Sequence, residues 1–200
     1  MPRKQKYKPI FYIAHTFSER HFVRDELVPA LHRLGINTLN PFYEPDGSWK
    51  EDRPEIRIAD AGKMVMPYKQ KDSTHRKWVK TVKARSLDIV ETDMDLIQQA
   101  DGIIAFMPDG STGTTCEIWT CGGIFRWLKK MGYSLPEFED KPVFLVTQSA
   151  RLLMHPWIKY ATRKVFRDEK RLLRYLRRVM PRLRVELRDR RKRLATPTDS

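Results

Sequence analysis

The sequence predicts an α/β fold in which about five parallel strands carry helices on both faces, followed by a basic C-terminal helix. Two observations predict it. Short apolar runs alternate with longer segments of helical periodicity, and 40% of the 200 residues are hydrophobic, enough to build a core. We therefore expect an α/β domain over residues 1–170 and a basic helix and tail over residues 171–200.

The N-terminal part of the chain predicts a strand, a helix and a second strand. The run PIFYIAH (9–15) is apolar and rich in β-formers, and Thr16 or Ser18 after it can cap a helix that Gly35 ends. INTLNPF (36–42) then predicts the second strand.

Residues 44–80 interrupt this alternation. They contain three prolines, many charges and scattered aromatic residues, which predict a long irregular excursion with at most one short helix. An insert of this length in a compact domain is typical of an active-site lid or an oligomer contact.

The alternation resumes near residue 84 and continues to the basic helix. A helix over 84–100 leads into the strand 102–108, a helix over 116–132 follows, and strands are predicted at 141–147 and 164–166. Strands and helices in strict alternation indicate a parallel sheet of the Rossmann or flavodoxin-like kind.

The basic C-terminal segment accounts for most of the net charge of +14. Residues 171–193 hold eleven Arg and Lys against Glu186 and Asp189. Such a helix is able to bind nucleic acid or an acidic partner through its charge. The favoured alternative is that its leucines and Val179 dock on the body and the arginines form the solvated face. Pro181 is expected to break or kink this helix, leaving a separate arm beyond it.

Several classes of protein are disfavoured by the sequence. No apolar run is long enough for a membrane span, and the N-terminus lacks a signal peptide's apolar stretch, so we expect a cytoplasmic protein that does not contact the membrane. Cys116 and Cys121 form no disulfide framework and are expected to be reduced. The five histidines have no metal-ligand spacing, so no metal and no cofactor is expected.

Two groups of candidate site residues follow from the strand ends and from helical periodicity. Thr16, Ser18 and Arg20 follow the first strand, where free N–H groups and hydroxyls favour an anion, although either hydroxyl residue could simply cap the helix. Asp93 shares a helical face with Ile97, and apolar enclosure would give its carboxyl group the raised pKa of a general acid. A solvated acidic face is the alternative that periodicity alone favours.

The third candidate is Glu117, in the stretch DGSTGTTCEIW (109–119). This stretch joins a predicted buried strand to a helix through a glycine-rich turn, which is where ligands bind in open α/β folds. Thr114 and Glu117 also have the spacing of a capping box, in which the glutamate closes back on the first N–H groups of its own helix. Local sequence favours the capping box.

Three motifs together resemble the nucleoside 2-deoxyribosyltransferase family, including its 2′-deoxynucleoside 5′-monophosphate N-hydrolase branch. They are YIAHTF after the first strand, DxxxIxxAD before the third, and SxGxxxEI after it. The similarity covers residues 9–147, with 44–80 poorly matched and the basic tail outside it. It implies cleavage or transfer of an N-glycosidic bond through a covalent glycosyl-glutamate intermediate.

The resemblance also implies a role for each matching residue. Glu117 matches the nucleophile, Asp93 the group that assists departure of the base, and Tyr12 the tyrosine that positions the nucleophile. A helix N-terminus would favour the ionised carboxylate of Glu117 through its macrodipole. An oligomer, at least a homodimer, is implied because sites of this family are often completed by a neighbouring subunit.

The branch of the family is indicated by Ser111, six residues before the glutamate. The transferases usually have an aspartate there, whereas the hydrolases resemble this sequence in having a serine, which together with the Gly113 N–H would bind a phosphate. Thr16 matches a hydroxyl residue of the hydrolases' phosphate loop, so 5′-monophosphates are the preferred substrates. Asp109 is the alternative replacement for the missing aspartate.

The sequence departs from the family pattern at two positions, and other functions remain open. His15 and Trp119 stand where glycines are common, which would narrow or shift the pocket. Aromatic residues near and inside the insert could stack on the base or belong to the core; these are Phe42, Tyr43, Trp49 and Tyr68. A non-catalytic nucleotide-binding or signalling module and a nucleic-acid-binding protein that uses the arginine-rich tail are the alternative functions.

Overall fold

The chain forms a single five-stranded parallel sheet, as the sequence predicts. We describe a computed structural model for residues 7–43, 90–108, 111–133 and 140–195. The strand order is β2-β1-β3-β4-β5, and every neighbouring pair is parallel. The strands are β1 (Ile10–His15), β2 (Asn37–Leu39), β3 (Gly102–Phe106), β4 (Val143–Val146) and β5 (Lys164–Phe166).

In the part of the chain that the structure describes, six helices connect or cover these strands. Helix α1 consists of Arg20–Phe22, a π-helical turn over Val23–Leu27, and Val28–Arg33. The described part of α2 covers residues 90–99. Helix α3 consists of Thr112–Ile118, a π-helical turn over Trp119–Gly123, and Ile124–Lys130. The last three are α4 (Ala150–Met154), α5 (Pro156–Ala161) and α6 (Glu169–Ala195).

Several predicted boundaries differ from those observed. Strand β2 ends early because the Asn40 side chain accepts hydrogen bonds from the N–H groups of Phe42 and Tyr43, at 2.8 and 3.3 Å, and turns the chain. Helix α3 begins at Thr112 rather than at residue 116. Helices α4 and α5 were not predicted; the Ser149 side chain caps the first of them.

The sheet has an apolar cluster on each face, since alternate strand residues point to opposite sides. One face packs Phe11, Ile13, Ile104 and Phe144 against α1 and α6. The other packs residues of β1, β3 and β4 against α2, α3 and α5; they are Tyr12, Ala14, Ile103, Ala105, Val143 and Leu145. Both faces of the sheet are therefore covered, which is why its strands are nearly continuous apolar runs.

The C-terminal helix corrects one expectation. Helix α6 runs without interruption through Pro181, and Leu183 and Leu187 beyond it are buried in the same cluster as Leu172 and Leu176 before it. The predicted break and separate arm are therefore wrong. Burial of apolar side chains on both sides of Pro181 outweighs the cost of a proline inside a helix, about 3 kcal/mol.

Two absences concern the described residues alone. Among them no helix combines the length and the apolar character that a membrane crossing requires. Within residues 7–43, 90–108, 111–133 and 140–195, no group of three or more His, Cys, Asp or Glu side chains could hold a metal ion. Both cysteines are free, with Cys116 exposed and Cys121 buried.

Candidate functional site

The strand order places the candidate residues where the chain changes direction across the sheet. From β1 the chain moves to β2 on one side, and β3 then lies on the other side of β1, so the connections diverge between β1 and β3. In open α/β sheets this point, at the carboxyl ends of the strands, is where ligands bind. His15 and Phe106 are paired at the ends of the two strands, so Thr16 and Met107, the residues that follow them, lie at the same edge.

A hydrogen bond joins the strand and the helix at this position. The Tyr12 hydroxyl donates to Oε1 of Glu117 at 2.8 Å. Tyr12 is fully buried because its ring lies under the sheet, on the face that α3 covers. Glu117 is half-buried on α3 and is therefore presented to that face of the sheet.

The capping box predicted for Thr114 and Glu117 is wrong. Ser111 is the N-cap residue, and its side chain accepts from the Thr114 N–H at 3.4 Å. Thr114 is buried inside the first turn, and Glu117 lies in the second turn of the helix. Glu117 is thus not the residue that closes the helix start, and the macrodipole, whose effect fades beyond the first turn, contributes little to its ionisation.

The helix widens immediately after Glu117. The π-helical turn Trp119–Gly123 brings Gly122 so close to the Ala161 carbonyl that a Cβ would collide with it, which explains the glycine. The Trp119 ring lies over Gly123 and contacts the rings of Trp157 and Tyr160, with centroids 4.8 and 6.0 Å apart. Trp119 therefore packs along α5. π-Helical turns of this kind are frequent at functional sites.

The hydroxyl residues after β1 are held by each other. Oγ1 of Thr16 lies 2.7 Å from Oγ of Ser18, and the Thr16 carbonyl accepts from the Glu19 N–H at 3.1 Å in a 3₁₀ turn. The N-cap of α1 is Glu19, without a side-chain cap, so neither Thr16 nor Ser18 caps the helix. Arg20 follows as a half-buried side chain at the start of α1.

The acidic residues of the DxxxIxxAD motif lie in different surroundings. On α2, Asp93 is half-buried, Asp95 is exposed and Ile97 is buried in the core. The helical periodicity therefore places Asp93 toward the protein, whereas Asp95 faces solvent. Asp101, the last residue of the motif, is 3% exposed.

His15 closes the end of β1 as a buried neutral group. Burial lowers the pKa of its imidazole to about 4, against a usual value of 6.5. Its Nδ1 lies 2.9 Å from the Thr16 carbonyl, which assigns the ring proton to that nitrogen. Its ring meets the edge of Phe42 at 5.0 Å between centroids. Phe42 and Tyr43 are both buried, as core aromatics are.

Three of the predicted positions have no structural description. Asp109, Trp49 and Tyr68 lie outside the described residues, as does the insert 44–80. Ser111 is half-buried and Gly113 is exposed at the start of α3, where a Cβ on Gly113 would meet, among the described residues, the Ser111 hydroxyl at 4.0 Å. The first turn of α3 is therefore open to solvent at Gly113.

The amino edge of the sheet contains a polar network that sequence reasoning missed. Asp101 accepts from the Ile10 N–H at 2.7 Å and pairs with Nε of Arg191 at 3.1 Å. Lys141 donates from Nζ to three carbonyls at the end of α2, those of Ile97, Gln98 and Ala100, at 2.6, 2.9 and 2.7 Å. The DxxxIxxAD motif includes Asp101 but does not predict its contacts with Ile10 and Arg191. No motif in the sequence includes Lys141.

The surroundings of Lys141 differ from those of an ordinary surface lysine. Burial, followed by repulsion from Arg190, lowers the pKa of its ammonium group to about 8. A cavity of about 320 Å³ opens beside it, lined by Ile97, Cys121 and Arg190 among others. Burial also raises the pKa of the Cys121 thiol, to about 12, so this thiol is unreactive near neutral pH.

Comparisons with known proteins find a structural likeness to an enzyme. No protein-family model matches the chain, and no curated protein matches it. Among solved structures, it is similar to a 2-deoxyribosyltransferase from the psychrotolerant bacterium Bacillus psychrosaccharolyticus, with 16% identity and a TM-score of 0.44, over 82% of this chain and 90% of that chain. The chemistry of the site therefore has to be argued from its own residues.

Proposed function

We propose that this protein cleaves or transfers the N-glycosidic bond of 2′-deoxynucleosides, with their 5′-monophosphates preferred, through a covalent intermediate on Glu117. The observation that carries the proposal is the hydrogen bond of 2.8 Å from the buried Tyr12 hydroxyl to Glu117. The Glu117 carboxylate does not cap its own helix and is oriented by a buried tyrosine. This is the arrangement of a positioned nucleophile.

The proposed reaction has two steps. In the first, Glu117 attacks C1′ of the deoxyribose and the C1′–N bond breaks, so that the base leaves with the electron pair and takes up a proton. Asp93, half-buried on α2, is the proposed donor or orienting group for that base. In the second step, water or another base attacks C1′ and releases the Glu117 carboxylate, as in retaining glycosidases.

The preference for a monophosphate rests on the hydroxyls at the carboxyl edge. Ser111, Thr16 and Ser18 offer uncharged donors where an aspartate would repel a phosphate, and Arg20 adds a positive charge. The open surface over Gly113 leaves room for a phosphate near its N–H. Asp109 remains the alternative partner of the sugar, in which case free nucleosides would be preferred.

An apolar surface beside the site supports a proposed homodimer. Trp127 and Trp157 are 48% and 61% exposed, and with Ile124 they line a concavity of about 630 Å³. Large exposed aromatic side chains in one patch are typical of a protein interface. A measured molar mass of one chain at 50 µM, or of a dimer that Trp157→Glu does not dissociate, would contradict an interface at this patch.

The decisive experiment is base release from a panel of nucleosides and their 5′-monophosphates, in deoxy and ribo forms, with and without an added free base. We expect Glu117→Gln to lower the rate at least about 1,000-fold, because the covalent step is lost. Glu91→Gln is the matched control, since Glu91 is exposed on α2. Wild-type protein that binds nucleotides but releases no base would instead support a non-catalytic nucleotide-binding module.

A further inference from the structure

The outer face of α6 is a continuous basic surface. The helix buries Leu172, Leu176, Met180, Leu183 and Leu187 against the sheet. Successive residues of a helix are rotated by about 100°, so the basic side chains three and four residues apart fall on the opposite side. All five members of this basic face are exposed: Lys170, Arg174, Arg177, Arg178 and Arg182.

These five cations differ from the other basic residues around α6. Arg171, Arg188 and Arg191 pair with Asp168, Asp189 and Asp101, and Arg163 holds Glu186. None of the five members of the basic face forms an ion pair with a carboxylate in the part of the chain that the structure describes. Five positive charges therefore lie along thirteen residues of helix, a rise of about 18 Å at 1.5 Å per residue.

The basic face is also nearly free of apolar side chains. Val185 and Leu194 are the large exposed hydrophobic residues of the described helix, and both lie beyond Arg182. The centre of a protein interface is usually rich in apolar and aromatic side chains, and helices that lie in a lipid bilayer's surface insert apolar side chains into it. A phosphate backbone needs neither, because counterion release by arginine and lysine supplies its affinity.

We propose that the basic face of α6 binds the phosphate backbone of nucleic acid. The buried side of the helix fixes the backbone that carries the five cations, so no folding of the helix is required on contact. Contacts to phosphate alone carry no sequence information, so binding is independent of base sequence. The proposal does not depend on the glycosidic activity, since the face lies on the helix that packs on the other side of the sheet from Tyr12 and Glu117.

The test is the salt dependence of binding to a labelled 20-base-pair DNA duplex, measured by fluorescence anisotropy of the full chain between 50 and 200 mM KCl. Five phosphate contacts predict a slope of about −4.5 for log K against log salt, which is a loss of several hundredfold over that range. The same measurement on duplex RNA and on single-stranded DNA shows which nucleic acid is preferred.

A matched pair of variants locates the contact. Arg174→Gln with Arg177→Gln removes two charges from the basic face and should reduce the slope to about −2.7. Lys129→Gln with Lys130→Gln removes two exposed charges from the end of α3 and should leave the slope unchanged. Glutamine keeps the helix propensity, so both double-glutamine variants should fold normally, which circular dichroism checks. Arg174→Lys with Arg177→Lys keeps both charges and should retain binding.

Three outcomes of the duplex measurements would overturn the proposal. They are no anisotropy change at 50 mM salt with 100 µM protein, equal slopes for the two double-glutamine variants, and displacement of the duplex by polyglutamate at an equal concentration of charge. The last result would identify an acidic protein segment as the partner. Binding to anionic vesicles that exceeds duplex binding would likewise reject it, in favour of a membrane.

Discussion

The two edges of the sheet use polar side chains in different ways. At the amino edge, Asp101 and Lys141 join strands, helix α2 and helix α6 through a dense network. At the carboxyl edge, Thr16 and Ser18 bond to each other, and Tyr12, three residues before the end of β1, donates a hydrogen bond to Glu117. The amino edge stabilises the fold, and we expect the carboxyl edge to perform the chemistry. Asp101, the last residue of the DxxxIxxAD motif, belongs to the amino edge.

The largest expected effect is a loss of stability at acid pH through His15, at the carboxyl edge of the sheet. The pKa of His15 is about 4 in the folded chain and 6.5 in the unfolded chain. Between these two values the imidazole is mostly protonated in the unfolded chain and mostly neutral in the folded chain. The free energy of unfolding should therefore fall by about 3 kcal/mol between pH 6.5 and 4 through this residue. Urea denaturation of wild type and His15→Gln across that range measures the difference.

Comparing variants at each pH isolates His15 from the carboxylates that titrate in the same range. The control is His21→Gln, because His21 is exposed. Equal pH dependence of stability in wild type and His15→Gln would show that this imidazole is protonated as easily in the folded as in the unfolded chain.

The second prediction removes the Lys141 ammonium group from the network at the amino edge. Lys141→Met leaves three carbonyls at the end of α2 without their charged donor and should lower the free energy of unfolding by about 2 kcal/mol. For a chain of this size the midpoint of thermal unfolding should fall by about 4–8 °C, while base release at 25 °C changes less than threefold. Calorimetry and the release assay check the two halves of this prediction.

Lys129→Met is the matched change at an exposed position and should have little effect on stability. A loss of base release larger than tenfold in Lys141→Met, at a temperature where the variant is folded, would mean that the amino edge also positions Asp93 for the chemistry.

The third prediction removes the hydrogen bond between Tyr12 and Glu117. Tyr12→Phe keeps the ring in the core and deletes the hydroxyl that orients Glu117, so the rate of base release should fall about tenfold, equivalent to about 1.4 kcal/mol. Tyr160→Phe deletes a half-buried hydroxyl on α5 and should leave the rate unchanged. Equal rates in Tyr12→Phe and wild type would remove the positioning role of this tyrosine.

The smallest effect concerns the glycines of α3. Gly113→Ala adds a methyl group to open space in the first turn and should raise the free energy of unfolding by up to about 1 kcal/mol. Gly122→Ala, whose methyl group would meet the Ala161 carbonyl, should lower it. If Gly113→Ala also weakens binding of 5′-monophosphates but not of nucleosides, the phosphate lies against this turn; unchanged binding of both places it elsewhere.

Most of the fold could be predicted from the sequence because its determinants are local. Apolar runs of strand length and helices of the right periodicity mark all five strands and α1, α2, α3 and α6. The continuity of α6 through Pro181 could not be predicted, because it depends on what Leu183 and Leu187 pack against. The short helices α4 and α5 were missed for a similar reason, since five or six residues carry almost no periodic signal.

The candidate site could be predicted in part. The positions of Tyr12 and Glu117 followed from motifs, but the capping box was a wrong expectation because two residues, Ser111 and Thr114, can each start the helix and local sequence does not rank them. The role of Asp101 depends on Ile10, which is 91 residues away in the sequence, and that of Lys141 on Ala100, which is 41 residues away. No local pattern contains such pairings.

The meeting of Ile10, Asp101 and Arg191 has a consequence for how the protein is made on the ribosome. At synthesis rates of about 5–20 residues per second, the 27 residues of α6 emerge seconds after the last strand. Until they do, the nascent sheet exposes Phe11, Ile13 and Phe144 to water, and Asp101 lacks its cation. Helix α6 therefore completes the cover of this face of the sheet, and supplies the cation of Asp101, after the five strands have been synthesised.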